Sequence, residues 1–119
     1  MRSAIGTLSA FAESGSETRV RRYLERKGVT VKAQVRIDSI GRVDLVVGNS
    51  LIIECDSMAH HGSVEGYHRD RERDANALQL GYRVLRLTWE QIWLRWDETK
   101  QLLDQLTSSR FHRRLRLGV

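Results

Sequence analysis

Carboxylates and histidines cluster around the end of the short apolar segment Leu51–Asp56. Glu54 and Asp56 end this segment, and His60 and His61 follow a few residues later. Because side chains alternate across a β-strand, both carboxylates lie on one face of the predicted strand. Acidic groups at the end of an apolar strand are costly to bury unless something compensates their charge. A divalent cation would do so, because hard carboxylate oxygens are the ligands that Mg²⁺ prefers.

A third carboxylate, Asp44, belongs to the preceding predicted strand. Asp44 and Glu54 lie equally far from the short turn 48–50, so the hairpin places them nearly opposite each other. Opposed like charges destabilise a sheet, so either a cation binds between them or one acid is protonated. Such a centre suits phosphodiester hydrolysis, which needs an activated water, neutralised charge and a stabilised leaving oxygen. The alternative is that these acids are exposed strand-end residues paired with arginines.

Four further residues are candidates for proton transfer or for orienting the groups that perform it. His60 and His61 titrate near neutrality and could act as general base or acid, although either could equally be a solvated loop residue. Asp70 could orient a histidine, or it could be an acid in the first turn of a helix, where the dipole favours it. Glu17 is either a capping residue or an outer acid that reaches metal-bound water.

The composition indicates a soluble globular domain with an anionic partner. The 119 residues are 40% hydrophobic and 29% charged, which suggests one domain with one core. The net charge of +5 makes nucleic acid the first expectation, with a basic but otherwise ordinary surface as the alternative. The sequence contains no long apolar run of the kind that would predict a membrane contact. Cys55 is the single cysteine, which excludes an internal disulfide, fits a cytoplasmic location and predicts a buried core residue.

The arginines form three groups that could contact phosphates, with a solvated helix face as the alternative for each group. One group lies on the first helix, one beside the histidine loop and one in the basic tail. We expect DNA contacts from the second and third groups, and in particular from Arg69, Arg71, Arg73, Arg113 and Arg114.

Hydrophobic alternation predicts a mixed four-stranded sheet, with strands over 29–37, 42–47, 51–56 and 82–87. Tight turns make the first three strands an antiparallel meander, and a helical crossover brings the fourth in parallel to the third. The predicted fold class is therefore α/β, with the element order α-β-β-β-α-β-α and helices on the faces of the sheet.

Helix starts are predicted from local signals. The segments Ser14–Glu17 and Thr88–Gln91 have the spacing of capping boxes. A loop over 57–67 precedes a helix that begins around Arg69, and the helical period gives this helix one face made of Asp70, Asp74, Ala77 and Leu78.

Three sequence blocks resemble a known family. These are Val43-Asp44, the segment Ile53–His61, and the segment Arg69–Arg86 with its Leu-Gly-Tyr-Arg-Val-Leu ending. They resemble the Vsr-like (very short patch repair) branch of the PD-(D/E)XK nucleases, whose small bacterial members have Glu-Asp-x-His-Asp sites. The resemblance implies a restriction-endonuclease-like core and a Mg²⁺-dependent DNA endonuclease in which Mn²⁺ can substitute. The resemblance covers about residues 14–95, and we expect a nuclease domain at 14–108, between a lead-in at 1–13 and a basic tail at 109–119.

The resemblance also implies roles for particular residues. The metal ligands are Asp44, Glu54 and Asp56, and the other site residues are Glu17, His60 with His61 as its rival, and Asp70. Asp56 stands where the wider superfamily has a catalytic lysine, so proton transfer must come from a histidine or from metal-bound water. The missing lysine keeps a second interpretation open, namely a weak or inactive nuclease-fold module that binds DNA or a protein partner. A homodimer and a specificity domain in a longer protein are also open.

Overall fold

A four-stranded sheet lies at the centre of the computed structural model, which describes the backbone of residues 4–56 and 64–113 and the side chains of 15–55, 64–110, 112 and 113. The strands lie side by side in chain order, as β1 (Val31–Ile37), β2 (Gly41–Val47), β3 (Leu51–Asp56) and β4 (Arg83–Thr88). The β1–β2 and β2–β3 pairs are antiparallel, and the β3–β4 pair is parallel. The predicted mixed sheet is therefore confirmed.

Helices cover both faces of this sheet and confirm the predicted α/β class. They are α1 (Ala4–Arg26), α2 (Val64–Gln79), α3 (Trp89–Trp93) and α4 (Trp96–Ser108), followed by a 3-10 turn at Phe111–Arg113. The last predicted helix is thus two helices. Within the described residues, no helix is long and apolar enough to cross a membrane.

Two apolar clusters, one on each side of the sheet, hold these layers together. Strand β3 contributes to both, because Leu51, Ile53 and Cys55 face one cluster while Ile52 faces the other. The larger cluster packs against α1, α3 and α4, through Val20, Leu24, Ile92 and Leu103. The smaller cluster packs against α2, through Ala77. Cys55 is a buried core residue, as predicted.

The predicted start of the first helix at Ser14 is wrong. Helix α1 runs without interruption from Ala4 to Arg26, so Ser14–Glu17 does not cap it. The small residues inside the helix serve packing instead. The buried Ser16 hydroxyl accepts a hydrogen bond from the Trp93 indole N–H at 2.9 Å. A Cβ at Gly15 would lie 3.4 Å from the Trp93 ring. The small size of Gly15 and Ser16 therefore lets α1 and α3 approach closely.

The second helix also differs from its prediction. Helix α2 begins at Val64, within the segment predicted to be a loop. The first turn of α2 was not predicted because it has no apolar residues that pack on the sheet. Its two large apolar residues, Val64 and Tyr67, are both exposed. Leu78, expected on the packed face, is 71% exposed, whereas Ala77 is buried. Arg73, one turn before Ala77, faces the sheet instead.

The capping box at Thr88 is confirmed. The Gln91 N–H donates to the Thr88 hydroxyl at 3.1 Å, and the Thr88 N–H donates to the Gln91 side-chain oxygen at 2.9 Å. Thr88 also ends β4, where its backbone lies beside Asp56 of β3. One residue therefore ends the parallel strand and starts α3.

The turn between β2 and β3 is held by the 3-10 turn near the end of the chain. The N–H groups of Asn49 and Ser50 both donate to the His112 carbonyl, at 3.0 and 3.1 Å. Gly48 has φ of 62° and approaches His112 so closely that a Cβ would lie 2.4 Å from that carbonyl oxygen. Glycine is required there for both conformation and space.

We predict that Gly48→Ala lowers the free energy of unfolding by about 3 kcal/mol, because it combines left-handed strain with a backbone clash. Gly28→Ala is the matched control, since Gly28 has φ of 81° but open space around its Cβ position. The control is expected to lose only about 1 kcal/mol. Urea denaturation measures both changes, and equal losses would contradict the contact with His112.

Candidate active site

The candidate site lies where strands β2 and β3 diverge. Their pairing ends at Leu45 opposite Ile53, and the same register continued by one residue would place Asp44 opposite Glu54. Beyond this point, side-chain carboxylates accept the hydrogen bonds of the backbone N–H groups. The Asp44 N–H donates to the Glu54 carboxylate at 3.1 Å, and the Cys55 N–H donates to the Asp44 carboxylate at 2.8 Å. The predicted juxtaposition of Asp44 and Glu54 is present, and each carboxylate replaces a ladder carbonyl.

Glu54 is a buried acid, with 8% of its surface exposed. Burial is the main reason that the pKa of Glu54 is raised, and the negative charge of Asp44 raises it further. The N–H donated by Asp44 and the Arg73 guanidinium act in the opposite direction without cancelling these effects. When both acids are ionised, their two negative charges face the single positive charge of Arg73, so a bound cation would lower the cost of ionising Glu54.

Arg73 of α2 binds the Glu54 carboxylate oxygen that the Asp44 N–H does not use. Its Nη2 donates to Glu54 at 2.9 Å. The same guanidinium donates to two backbone carbonyls at the start of β2 and in the turn before it, to Ile40 at 3.0 Å from Nε and to Arg42 at 3.2 Å from Nη2. Arg73 thus joins α2, β2 and β3 at one point. The prediction that it contacts DNA is untested, but Nε and Nη2 point inward.

A second set of charges extends the site along α2. Asp74 accepts a hydrogen bond from Arg86 at 2.7 Å and lies 3.3 Å from the Arg71 guanidinium. Arg86 is the β4 residue in register with Glu54. The Arg71–Asp74 pair lies within α2, whereas the Arg86–Asp74 pair joins α2 to β4, so sequence alone did not indicate it.

Glu17 reaches the same region from α1. It accepts a hydrogen bond from the Gln34 side chain. Gln34 has φ of 54°, which interrupts β1 at the position that lies opposite Asp44 in the β1–β2 register. Glu17 therefore approaches the strand next to the acid pair and does not cap its helix. Gln34 was not singled out in the sequence, because a glutamine in a strand gives no signal of left-handed backbone.

The other predicted site residues lie partly outside the described part of the chain. The Asp56 backbone ends β3 beside Thr88, but its side chain, both histidines of 60–61 and Arg114 fall outside the described residues. Asp70 is half-buried on α2, one turn before Asp74, and the structure shows no contact between Asp70 and the acid pair. Three predicted DNA-binding residues are exposed, namely Arg69, Arg71 and Arg113.

The metal-binding capacity can be judged from the donors present. Asp44 and Glu54 supply hard carboxylate oxygens of the kind that Mg²⁺ and Mn²⁺ bind. Among the described side chains, no three His, Cys, Asp or Glu residues lie together as a complete ligand set. The two acids therefore fit a divalent cation in type and charge, and the predicted third ligand, Asp56, belongs to the undescribed side chains.

The mixed sheet, the helices on both faces and the acids at the divergence of two strands define a restriction-endonuclease-like fold. The solved structure of the homing endonuclease I-Bth0305I catalytic domain is similar, with a TM-score of 0.65 and 19% sequence identity over 79% of this chain and 94% of that chain. A model of the REase_MTES_1575 family matches residues 17–107, so the chain belongs to this restriction-endonuclease-like family. No curated protein matches the chain.

Glu54→Gln tests the electrostatics of the site. Because the folded-state pKa of Glu54 is raised, its stability contribution is full below the unfolded-state pKa and is lost as pH rises through the folded-state pKa. Glutamine has the same shape and carries no charge. We expect the variant to be more stable than the wild type at neutral pH, by more than the roughly 0.5 kcal/mol typical of surface changes, with the gap closing on acidification.

Urea denaturation at a series of pH values measures this difference. Glu98→Gln is the control, because Glu98 also pairs with an arginine but is exposed. We expect no comparable gain there. A Glu54→Gln protein that is less stable than wild type at neutral pH would mean that the Arg73 pair outweighs burial.

Proposed function

We propose that this protein is a metal-dependent endonuclease that hydrolyses phosphodiester bonds of DNA, with Mg²⁺ as its ion and Mn²⁺ as a working substitute. The observation that carries the proposal is the Asp44–Glu54 pair, in which two carboxylates are fixed side by side with one guanidinium, that of Arg73, bound to Glu54. Membership of a restriction-endonuclease-like family supports it. Similarity in fold to a homing endonuclease catalytic domain is consistent with it.

Asp44 and Glu54 would hold the cation, with Asp56 as the proposed third ligand. A bound divalent cation supplies an activated water and neutralises charge on the phosphate. The chain itself supplies a fixed acid pair. The Asp44 carboxylate is held by the Cys55 N–H, and the Glu54 carboxylate is held between Arg73 and the Asp44 N–H. Such fixed geometry lowers the reorganisation that binding and reaction would otherwise require.

Proton transfer is proposed for His60, with His61 as its rival, because both follow the acid strand and no lysine stands at position 56. Asp70 would orient the active histidine from α2, and Glu17 would act as an outer acid beside Gln34. This assignment is the Vsr-like arrangement, and we propose that branch for the protein. Its single, buried cysteine suits a reducing compartment, so we propose that it acts in the cytoplasm.

Asp44→Ala should reduce plasmid nicking in Mg²⁺ by roughly 100-fold or more, because it removes a proposed ligand. Asp44→Asn is a second variant that retains an acceptor for the Cys55 N–H, so it separates loss of charge from loss of structure. Asp38→Asn, an exposed acid in the turn between β1 and β2, is the matched control and should nick like the wild type. Equal nicking by wild type and Asp44→Ala would sink the assignment.

A second candidate function is a nuclease-fold module that binds DNA or a protein without efficient turnover. The Arg73–Glu54 ion pair favours it, because a guanidinium at 2.9 Å already neutralises a carboxylate that a metal would use. The acid at position 56, where the superfamily has a lysine, favours it as well.

Calorimetric titration with Mg²⁺ or Mn²⁺ distinguishes the two candidates. For the endonuclease we expect heat of binding in the wild type that is lost in Asp44→Asn. Absence of metal binding, together with DNA binding that weakens steeply with salt, would favour the binding module.

A further inference from the structure

A positively charged groove lies on the face of the protein away from α2. Three arginines of α1 line it, at positions 19, 22 and 26, and the indole rings of Trp93 and Trp96 form its opposite side. The acid pair lies under α2, on the other side of the sheet. The groove therefore lies on the other side of the sheet from the acid pair; Glu17 belongs to the same helix, but residues two positions apart in a helix, such as Glu17 and Arg19, do not share a face. We call this groove the arginine groove.

Arg19 is held in a defined position by aromatic rings. Its guanidinium carbon lies 4.8 Å from the centre of the Trp93 ring and 4.6 Å from that of Trp96. Contacts of this kind stabilise a cation by about 0.5–1 kcal/mol at exposed sites. They use the face of the guanidinium, whereas its N–H donors lie in the plane. No described residue accepts a hydrogen bond from Arg19 or forms an ion pair with it.

The positive charge of the arginine groove is not balanced within the described part of the chain. Other basic residues at this end of α1 have acidic partners, as in the pairs Arg21–Glu25 and Lys27–Asp104. Arg22 and Arg26 are exposed and have no ion pair with a described residue. From Arg19 to Arg26 the helix rises by about 10 Å. Three like charges over this distance repel one another, and a line of anions would relieve that repulsion.

We propose that the arginine groove binds the phosphate backbone of duplex DNA outside the site of cleavage. The line of guanidinium groups matches a chain of phosphates, to which arginine donates in bidentate geometry. The aromatic rings favour a duplex over a single strand, because they are already engaged. Trp93 and Trp96 contact Arg19, and Tyr23 packs edge-on against Trp96 while its hydroxyl donates to Asp104 at 2.6 Å.

Bases of a single strand would need free ring faces on which to stack. The groove supplies charge in place of such faces, so it would increase affinity for DNA without reading its sequence. This inference rests on DNA as the substrate of the proposed function but does not require hydrolysis.

The test is DNA binding without metal. Fluorescence anisotropy with a labelled duplex of about 20 base pairs is measured in EDTA over a range of salt concentrations. The test protein is the double variant Arg22→Gln/Arg26→Gln, since both residues are exposed and the change leaves the core intact. The control is Lys32→Gln/Arg36→Gln, which removes the same charge from two exposed residues of β1.

We expect the groove variant to lose about two units of the slope of log affinity against log salt, because each lost phosphate contact contributes about 0.9. At about 0.1 M salt its affinity should fall tenfold or more, whereas the control should change less than about twofold. An unchanged slope in the groove variant, or an equal loss in the control, would overturn the proposal. Tighter wild-type binding to the single strand than to the duplex would overturn the choice of duplex.

Asp44→Asn separates this result from the proposed hydrolysis. In Mg²⁺ it should fail to nick, and in EDTA its slope of log affinity against log salt should not fall, because it removes no phosphate contact. The groove variant should have the lower slope, and in Mg²⁺ it should need roughly tenfold more DNA than the wild type to reach half of its maximal nicking rate. If the wild type never nicks but the groove variant still loses affinity, the groove stands and only the hydrolysis fails.

Discussion

The exchange of hydrogen bonds between Asp44 and Glu54 is the interaction on which the site depends. At the point where β2 and β3 stop pairing, backbone N–H groups would lose their acceptors, and unsatisfied buried groups of this kind are costly. The two carboxylates accept those N–H groups. The sheet can therefore open without that penalty, and the acids are placed together by the same bonds. The same two hydrogen bonds satisfy the opened sheet and hold the two proposed metal ligands together.

Arg73 makes this arrangement tolerable in the absence of a cation. It reduces the cost of the buried Glu54, and it fixes α2 by donating to the carbonyls of Ile40 and Arg42. The helix that follows the histidine segment is thereby anchored to the strands that carry the acids.

The sequence was informative where a signal is local. Alternation predicted β3 and the buried Cys55, a short turn predicted that Asp44 faces Glu54, and the spacing at Thr88 predicted a true capping box. The same spacing at Ser14 was misleading, because Gly15 and Ser16 are small in order to pack against Trp93, far away in the chain. The pairing of Arg73 with Glu54 and the contact of Gln34 with Glu17 were not predicted for the same reason, since each joins residues of different elements.

The contact between Gly48 and His112 has a consequence for the order of folding. Two N–H groups of the β2–β3 turn, those of Asn49 and Ser50, find their acceptor in His112, which lies far along the chain. Contacts between residues far apart in sequence form late, because the intervening chain must first lose its freedom. During synthesis, the turn that joins the strands of Asp44 and Glu54 therefore gains this support only once His112 has been made, after all four strands of the sheet.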